Sequence, residues 1–289
     1  MGSFIGHLVP GTAFSVFGLW FASCILQRFF LCARVDVMNG SKYVGKYRST
    51  CSFACPCNPA IPLEGIIKII ASIIAISGEF VTAFEGGKFE HIGNAQHMMM
   101  YLFFIIHGAA DLAVHYKAAV PPEVDYLTAA CAFFMESLLF FTHLHGRSLM
   151  DIQVHTYIAF VALLCGFAML LEASFKSSVV LALSRAFFIL LQGTWFLQIS
   201  FLLFSPLGSY FDRNNHEHMM LVTCIFTGHV ALDLLLIVIL GVISHRRVRN
   251  MSSTAAYHTL HSYAHPATFS KFDPIQVKHI IAGSDEEDP

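Results

Sequence analysis

Apolar positions along the chain gather into seven runs of about twenty residues or more, and charges and turn-forming residues collect between them. The runs cover about Leu8–Ala33, Ile61–Phe84, Asn94–Tyr116, Val124–His145, Leu149–Ala173, Val179–Phe204 and His216–Ser244. A helix of about 20 apolar residues crosses the hydrocarbon core of a bilayer. The pattern therefore predicts an all-α polytopic membrane protein, a seven-transmembrane-helix bundle over residues 1–245. Residues 246–289 open within the basic HRRVR that starts at His245, turn Ser-, Thr- and His-rich, and end in SDEEDP. With little apolar periodicity, this stretch is expected to be a disordered tail.

Composition agrees with the runs. The chain is 56% hydrophobic and only 12% charged, against roughly a quarter charged in soluble domains. A net charge of -2 gives no electrostatic footprint for nucleic acid. Membrane lipids are the partners the composition implies, and no protein partner is encoded in it. The first run lacks a basic start and is too long for a cleaved signal peptide. Gly6 stands where a myristoylation signal needs Ser or Thr.

Charge between the runs sets an expected orientation. Arg28, Arg34, Lys42, Lys46, Arg48, Lys117, Lys176, Arg246, Arg247 and Arg249 flank one side, against Lys88, Arg147 and Arg213 on the other. The positive-inside rule then puts the C-terminus in the cytosol and the N-terminus in the lumen or outside, in an endomembrane or the plasma membrane. The sequons at Asn39 and Asn250 fall on the cytosolic side and are expected to go unused. Cys51, Cys55 and Cys57 precede the second run on that same reducing face. Juxtamembrane cysteines of this kind are candidates for S-acylation rather than for disulfides.

The unusual feature is histidine: sixteen, several inside apolar runs, with carboxylates nearby. Ionisable groups at membrane depth are costly and mark candidate sites. ESLLFFTHLHGRSLMDIQVH, at the turn between the fourth and fifth runs, carries Glu136, His143, His145, Asp151 and His155. The pairs His107/Asp111, Asp151/His155 and His229/Asp233 are each four apart, the spacing at which a carboxylate orients an imidazole. With the expected orientation, these groups converge on the outer half of the bundle.

Two functions fit. The leading one is a non-enzymatic scaffold or lipid-contacting protein whose polar core specifies packing. The alternative is a metal-dependent hydrolase of lipid esters or amides. There His97, His143, His155 and His218 would hold a divalent transition metal such as zinc, and Glu136 would act as general base. Asp151, Gln192 and Gln198 would support the ligands, with His145 at the rim. A metal transporter would extend the path through His107/Asp111 and His229/Asp233. No compact metal or nucleophile motif and no phosphate-binding loop is present. Glu64 and Lys68 read as a helical i,i+4 pair.

Several phrases carry a resemblance. GHLVPG with FGLW opens the chain, and NAQHMMMY (Asn94–Tyr101), HLHGRSLMD (His143–Asp151) and LLQGTWFLQI (Leu190–Ile199) follow in order. The chain resembles the transmembrane protein 45 / transmembrane epididymal protein family. That resemblance implies a seven-spanning fold and supplies no activity and no catalytic residue.

Overall fold

The computed structural model describes residues 3–39, 47–55, 58–142, 144, 146–208 and 211–263. In order they form α1 (Phe4–Asn39), α2 (Leu63–Thr82), β1 (Phe84–Glu85), β2 (Lys88–Phe89), α3 (Ile92–His115), α4 (Val124–Thr142), α5 (Leu149–Ser174), α6 (Val179–Phe204), α7 (His216–Arg249) and α8 (Ser253–Tyr263). Helices α1 to α7 are long and apolar enough to cross a membrane. The chain is a multi-pass, all-α integral membrane protein.

Starts are written locally. Ser148, Ser178 and Asn215 each accept a hydrogen bond from a backbone N–H in the first turn of α5, α6 and α7, satisfying donors that a helix leaves open. The α2–α3 connection is a small hairpin turned by Gly86 and Gly87 at φ 58° and 79°, a conformation open to glycine.

Two ends differ from the apolar pattern. Helix α4 stops at Thr142, and His143 and His145 lie outside the described residues. At the other extreme, α7 runs on through HRRVR to Arg249. Its basic last turn faces the negative end of the helix dipole, and Arg34 of α1 donates to the carbonyl of Val248. Residues 253–263, expected to lack structure, form α8. Ser252 accepts from the N–H of Ala255 at its start, and Ala256 and Leu260 are buried with Leu31, Cys32 and Val248. Two apolar side chains four apart make too narrow a stripe to stand out in sequence. Residues beyond 263 lie outside the described residues.

The helices neighbour one another in the order α1, α6, α5, α4, α3, α2, while α7 lies outside against α1 and α6. Glycines set the tightest seam. A Cβ on Gly18 would stand 2.6 Å from the backbone of Leu190, and one on Gly193 2.2 Å from that of Ser15. Small residues let membrane helices approach at backbone distance. Two phrases that carried the family resemblance, FGLW and LLQGTW, thus meet at the α1–α6 contact. The ring stays open on one side: α1 and α2 are not packed along their lengths, and Trp20 Nε1 of α1 bridges them by donating to Glu64 Oε1 at 2.5 Å.

Loop 47–55 turns inward rather than lying on the surface. Ser49, Cys51 and Phe53 are buried, and Arg185 of α6 donates to the carbonyls of Thr50 and Cys51 at 3.0 and 3.1 Å. Irregular backbone among membrane helices persists only where protein groups satisfy it. The loop plugs that end of the ring.

Candidate functional site: a cavity inside the helical ring

Inside the ring lies a cavity of about 190 Å³. All six ring helices and the plug contribute to its wall, so its polar groups come from distant parts of the sequence. Gly6, Val9 and Ala13 of α1 and Ala71 of α2 line it while remaining exposed on the outer surface. They frame a mouth between α1 and α2, where the ring is unpacked. In a bilayer such a mouth faces lipid.

At the Arg185 end every charge has a partner. The fully buried Arg185 donates to both oxygens of Glu172 at 2.7 and 3.2 Å, and Tyr126 donates to the same carboxylate at 3.1 Å. Lys68 donates to Asp111 Oδ2 at 2.6 Å and to His107 Nε2 at 2.9 Å. Its ammonium therefore leaves Glu64 to Trp20, in place of the helical pair expected from spacing. Cys51, His107 and Asp111 each offer a ligand atom within 4.8 Å of the others. Among the described residues they are the one such metal-like group, and Lys68 already supplies it with a cation.

At the opposite end stand His7, His155, His97 and Glu79. His155 Nδ1 donates to the Asp151 carbonyl at 2.8 Å and lies 2.8 Å from Asp151 Oδ1, and Arg147 holds that carboxylate at 3.0 Å. His7 Nδ1 donates to the Ser3 carbonyl at 3.0 Å, and its Nε2 lies 3.4 Å from His155 Nε2. His97 Nδ1 lies 3.1 Å from Glu79 Oε1.

Between the ends the wall is aromatic. Phe14, Phe104, Phe133, Phe140 and Phe196 line it, with neighbouring ring centroids 5.6 to 6.3 Å apart. Glu136 sits in this waist. It is only 3% exposed, and its Oε2 has no hydrogen-bond partner.

The candidate residues are thus dispersed. His97, His155 and Glu136 reach the cavity, and Asp151 supports His155. His143 lies outside the described residues. His218 does not line the cavity: on α7, its Nδ1 accepts from the N–H of Asp212 at 2.9 Å. Gln198 accepts from His229 of α7 at 3.3 Å, and Thr194 donates to Asp233 of α7 at 2.8 Å. The polar strip of α6 therefore docks α7. Gln192 is fully buried, away from the cavity, and neither amide atom has a partner. His7 and Glu172 were not singled out by spacing, and Lys68 only as the helical partner of Glu64, although ionisable groups within spans are the signal that finds them.

Comparison with known proteins adds kinship. The sequence is 24% identical to transmembrane epididymal protein 1 of Rattus norvegicus over 248 residues, 81% of this chain and 78% of that protein. The chain is similar to the transmembrane epididymal proteins. Transmembrane epididymal protein 1A of Mus musculus is 25% identical over the same shares, and transmembrane epididymal protein 1 of Homo sapiens 22% over 187 residues, 60% of this chain and 67% of that one. Residues 122–242 match a family of unknown function (DUF716), a stretch from α4 into α7. The resemblance read from the motifs holds, and it brings no activity with it.

Of the juxtamembrane cysteines, Cys51 is 2% exposed. Burial pushes its thiol well above its ordinary range, so neither access nor thiolate is provided for an acyl donor. Cys55 is half-buried, and Cys57 lies outside the described residues.

Proposed function

We propose that this protein is a non-enzymatic membrane protein that takes a lipid-like molecule from the bilayer into the cavity of its helical ring. The observation that carries this reading is the mouth between α1 and α2, framed by Gly6, Val9, Ala13 and Ala71 and leading to an aromatic interior. An alkyl chain could enter there without crossing water, and its polar group would meet Glu136 or the histidines.

The test is photolabelling in nanodiscs with an alkyl diazirine. Labels are expected on Phe14, Phe104 or Phe133, and Ala13→Trp/Ala71→Trp should remove them while labels on the outer face of α7 persist. Cavity labelling that ignores the blocked mouth would end the reading.

A metal-dependent hydrolase is the second reading, with one observation in its favour. Two imidazoles on tetrahedral zinc stand about 3.3 Å apart, close to the 3.4 Å between His7 Nε2 and His155 Nε2. Both rings also give Nδ1 to oxygen, as metal-bound histidines commonly do. Zinc there would be held by His7 and His155, with His97 and Glu136 lining the same cavity. Elemental analysis of the purified protein beside His7→Ala/His155→Ala decides it: near-stoichiometric metal lost in the variant supports the site, and metal-free protein removes it.

For orientation, the basic flanks favour a cytosolic C-terminus. A glycosidase-sensitive mass shift that vanishes on Asn250→Gln would reverse it.

A further inference from the structure

The charges around the cavity do not balance evenly. Lys68 is paired with Asp111 and Arg185 with Glu172. Arg147 is paired with Asp151, and His97 meets Glu79 at the other end. Glu136 alone among the cavity's carboxylates has neither an ion pair nor a hydrogen bond among the described residues. A carboxylate held without a partner in a low-dielectric interior is strongly unfavourable. Packing does not require it, since the neighbouring wall is phenylalanine.

We infer that Glu136 is the counter-ion for a hydrophobic amine: the cavity binds an alkyl or arylalkyl ammonium whose positive head rests on Glu136 at the aromatic waist. This rests on the lateral-entry reading above and names the ligand class for it. Three features converge on a cation. The free group is acidic, while the cavity's own lysine and arginine are already neutralised and leave no site for an anionic head. Phe133 and Phe140 lie three residues before and four after Glu136 on α4, so they share its helical face, and both line the cavity. Ring faces beside a carboxylate are the chemistry that favours ammonium groups. A fatty acid would set its carboxylate against Glu136, and a simple alcohol would give it one hydrogen bond and no ion pair.

The experiment uses full-length protein in phosphatidylcholine nanodiscs and a diazirine-bearing hexadecylamine. Labels on the exposed α7 residues Leu234 and Val238 serve as the reference for membrane partitioning. Relative to them, cavity labelling should be displaced by hexadecylamine roughly tenfold or more better than by hexadecanol. In Glu136→Gln, which keeps shape and removes charge, that preference should fall to about one while the melting temperature does not drop. Equal displacement by amine and alcohol in the wild type would overturn the amine assignment and leave lateral entry standing. A preference surviving in Glu136→Gln would likewise overturn Glu136 as counter-ion. If neither the amine probe nor the alkyl diazirine labels the cavity, both readings fall.

Discussion

Two buried glutamates on neighbouring helices of one ring meet opposite fates. Glu172 of α5 is completely buried and accepts from Arg185 twice and from Tyr126 once. Glu136 of α4 is nearly as buried and its Oε2 accepts from nothing. The first is fully committed to structure: its arginine also holds two carbonyls of loop 47–55, tying α5, α6 and the plug together. The second contributes nothing that phenylalanine could not supply, and it faces empty space. Depth and residue type are shared, so what separates structure from site is whether neighbours satisfy the group.

The largest effect should come from breaking the satisfied one. Glu172→Gln leaves Arg185 buried without its counter-charge, a loss of about 3–5 kcal/mol. Replacing both with apolar residues of similar volume, Glu172→Leu/Arg185→Met, should recover part of that cost. Unfolding in mixed micelles measures both. A single variant within about 1 kcal/mol of wild type would mean that the network is not what holds this end.

The same variant should open the plug. In the wild-type protein a maleimide at neutral pH is expected to modify Cys55 and spare Cys51. In Glu172→Gln, Arg185 no longer pins the Thr50 and Cys51 carbonyls, and Cys51 should become reactive. Peptide mapping after alkylation checks this, and equal protection of Cys51 in both proteins would separate the plug from the ion pair.

A third variant disturbs neither glutamate. Gly193→Ala puts a methyl group 2.2 Å from the Ser15 backbone, so α1 must move from α6 at a cost of about 1–3 kcal/mol. Because α1 carries one side of the mouth, lateral labelling of the cavity should change with it. Thermal unfolding measures the cost, and a variant as stable as wild type would show that the seam relaxes freely.

Much of the bundle was legible because apolar run length is a local quantity that the bilayer fixes. The site was only partly legible, for a physical reason: the cavity is made by which helices neighbour one another, and spacing within one helix carries no information about that. His155 with Asp151 could be read because both lie on α5. His218 shares the expected depth with His97 but sits on α7, outside the ring. Lys68 was assigned to Glu64, its partner along the helix, whereas Asp111 and His107 across the α2–α3 contact hold it. The inward course of loop 47–55 was illegible, since nothing in TCSFAC announces that an arginine far along the chain donates to its carbonyls. Residues 253–263 failed in the other direction, where two small apolar contacts outweigh a polar composition.

The smallest expected effect is the sharpest test of the comparison. If Glu136 is kept for a ligand, the empty protein bears a cost for it. Glu136→Gln removes a buried ionisable carboxyl that no neighbour stabilises, so the ligand-free variant should be as stable as wild type or more stable by about 1 kcal/mol, against several lost in Glu172→Gln. The same chemical change, one oxygen to one amide, then has opposite signs at two sites of similar burial. Adding hexadecylamine should raise the melting temperature of the wild type and not that of the variant, reversing their order. A Glu136→Gln protein that is destabilised to the same extent as Glu172→Gln would mean that Glu136 has a structural partner after all, and the distinction between the two ends of the ring would be lost.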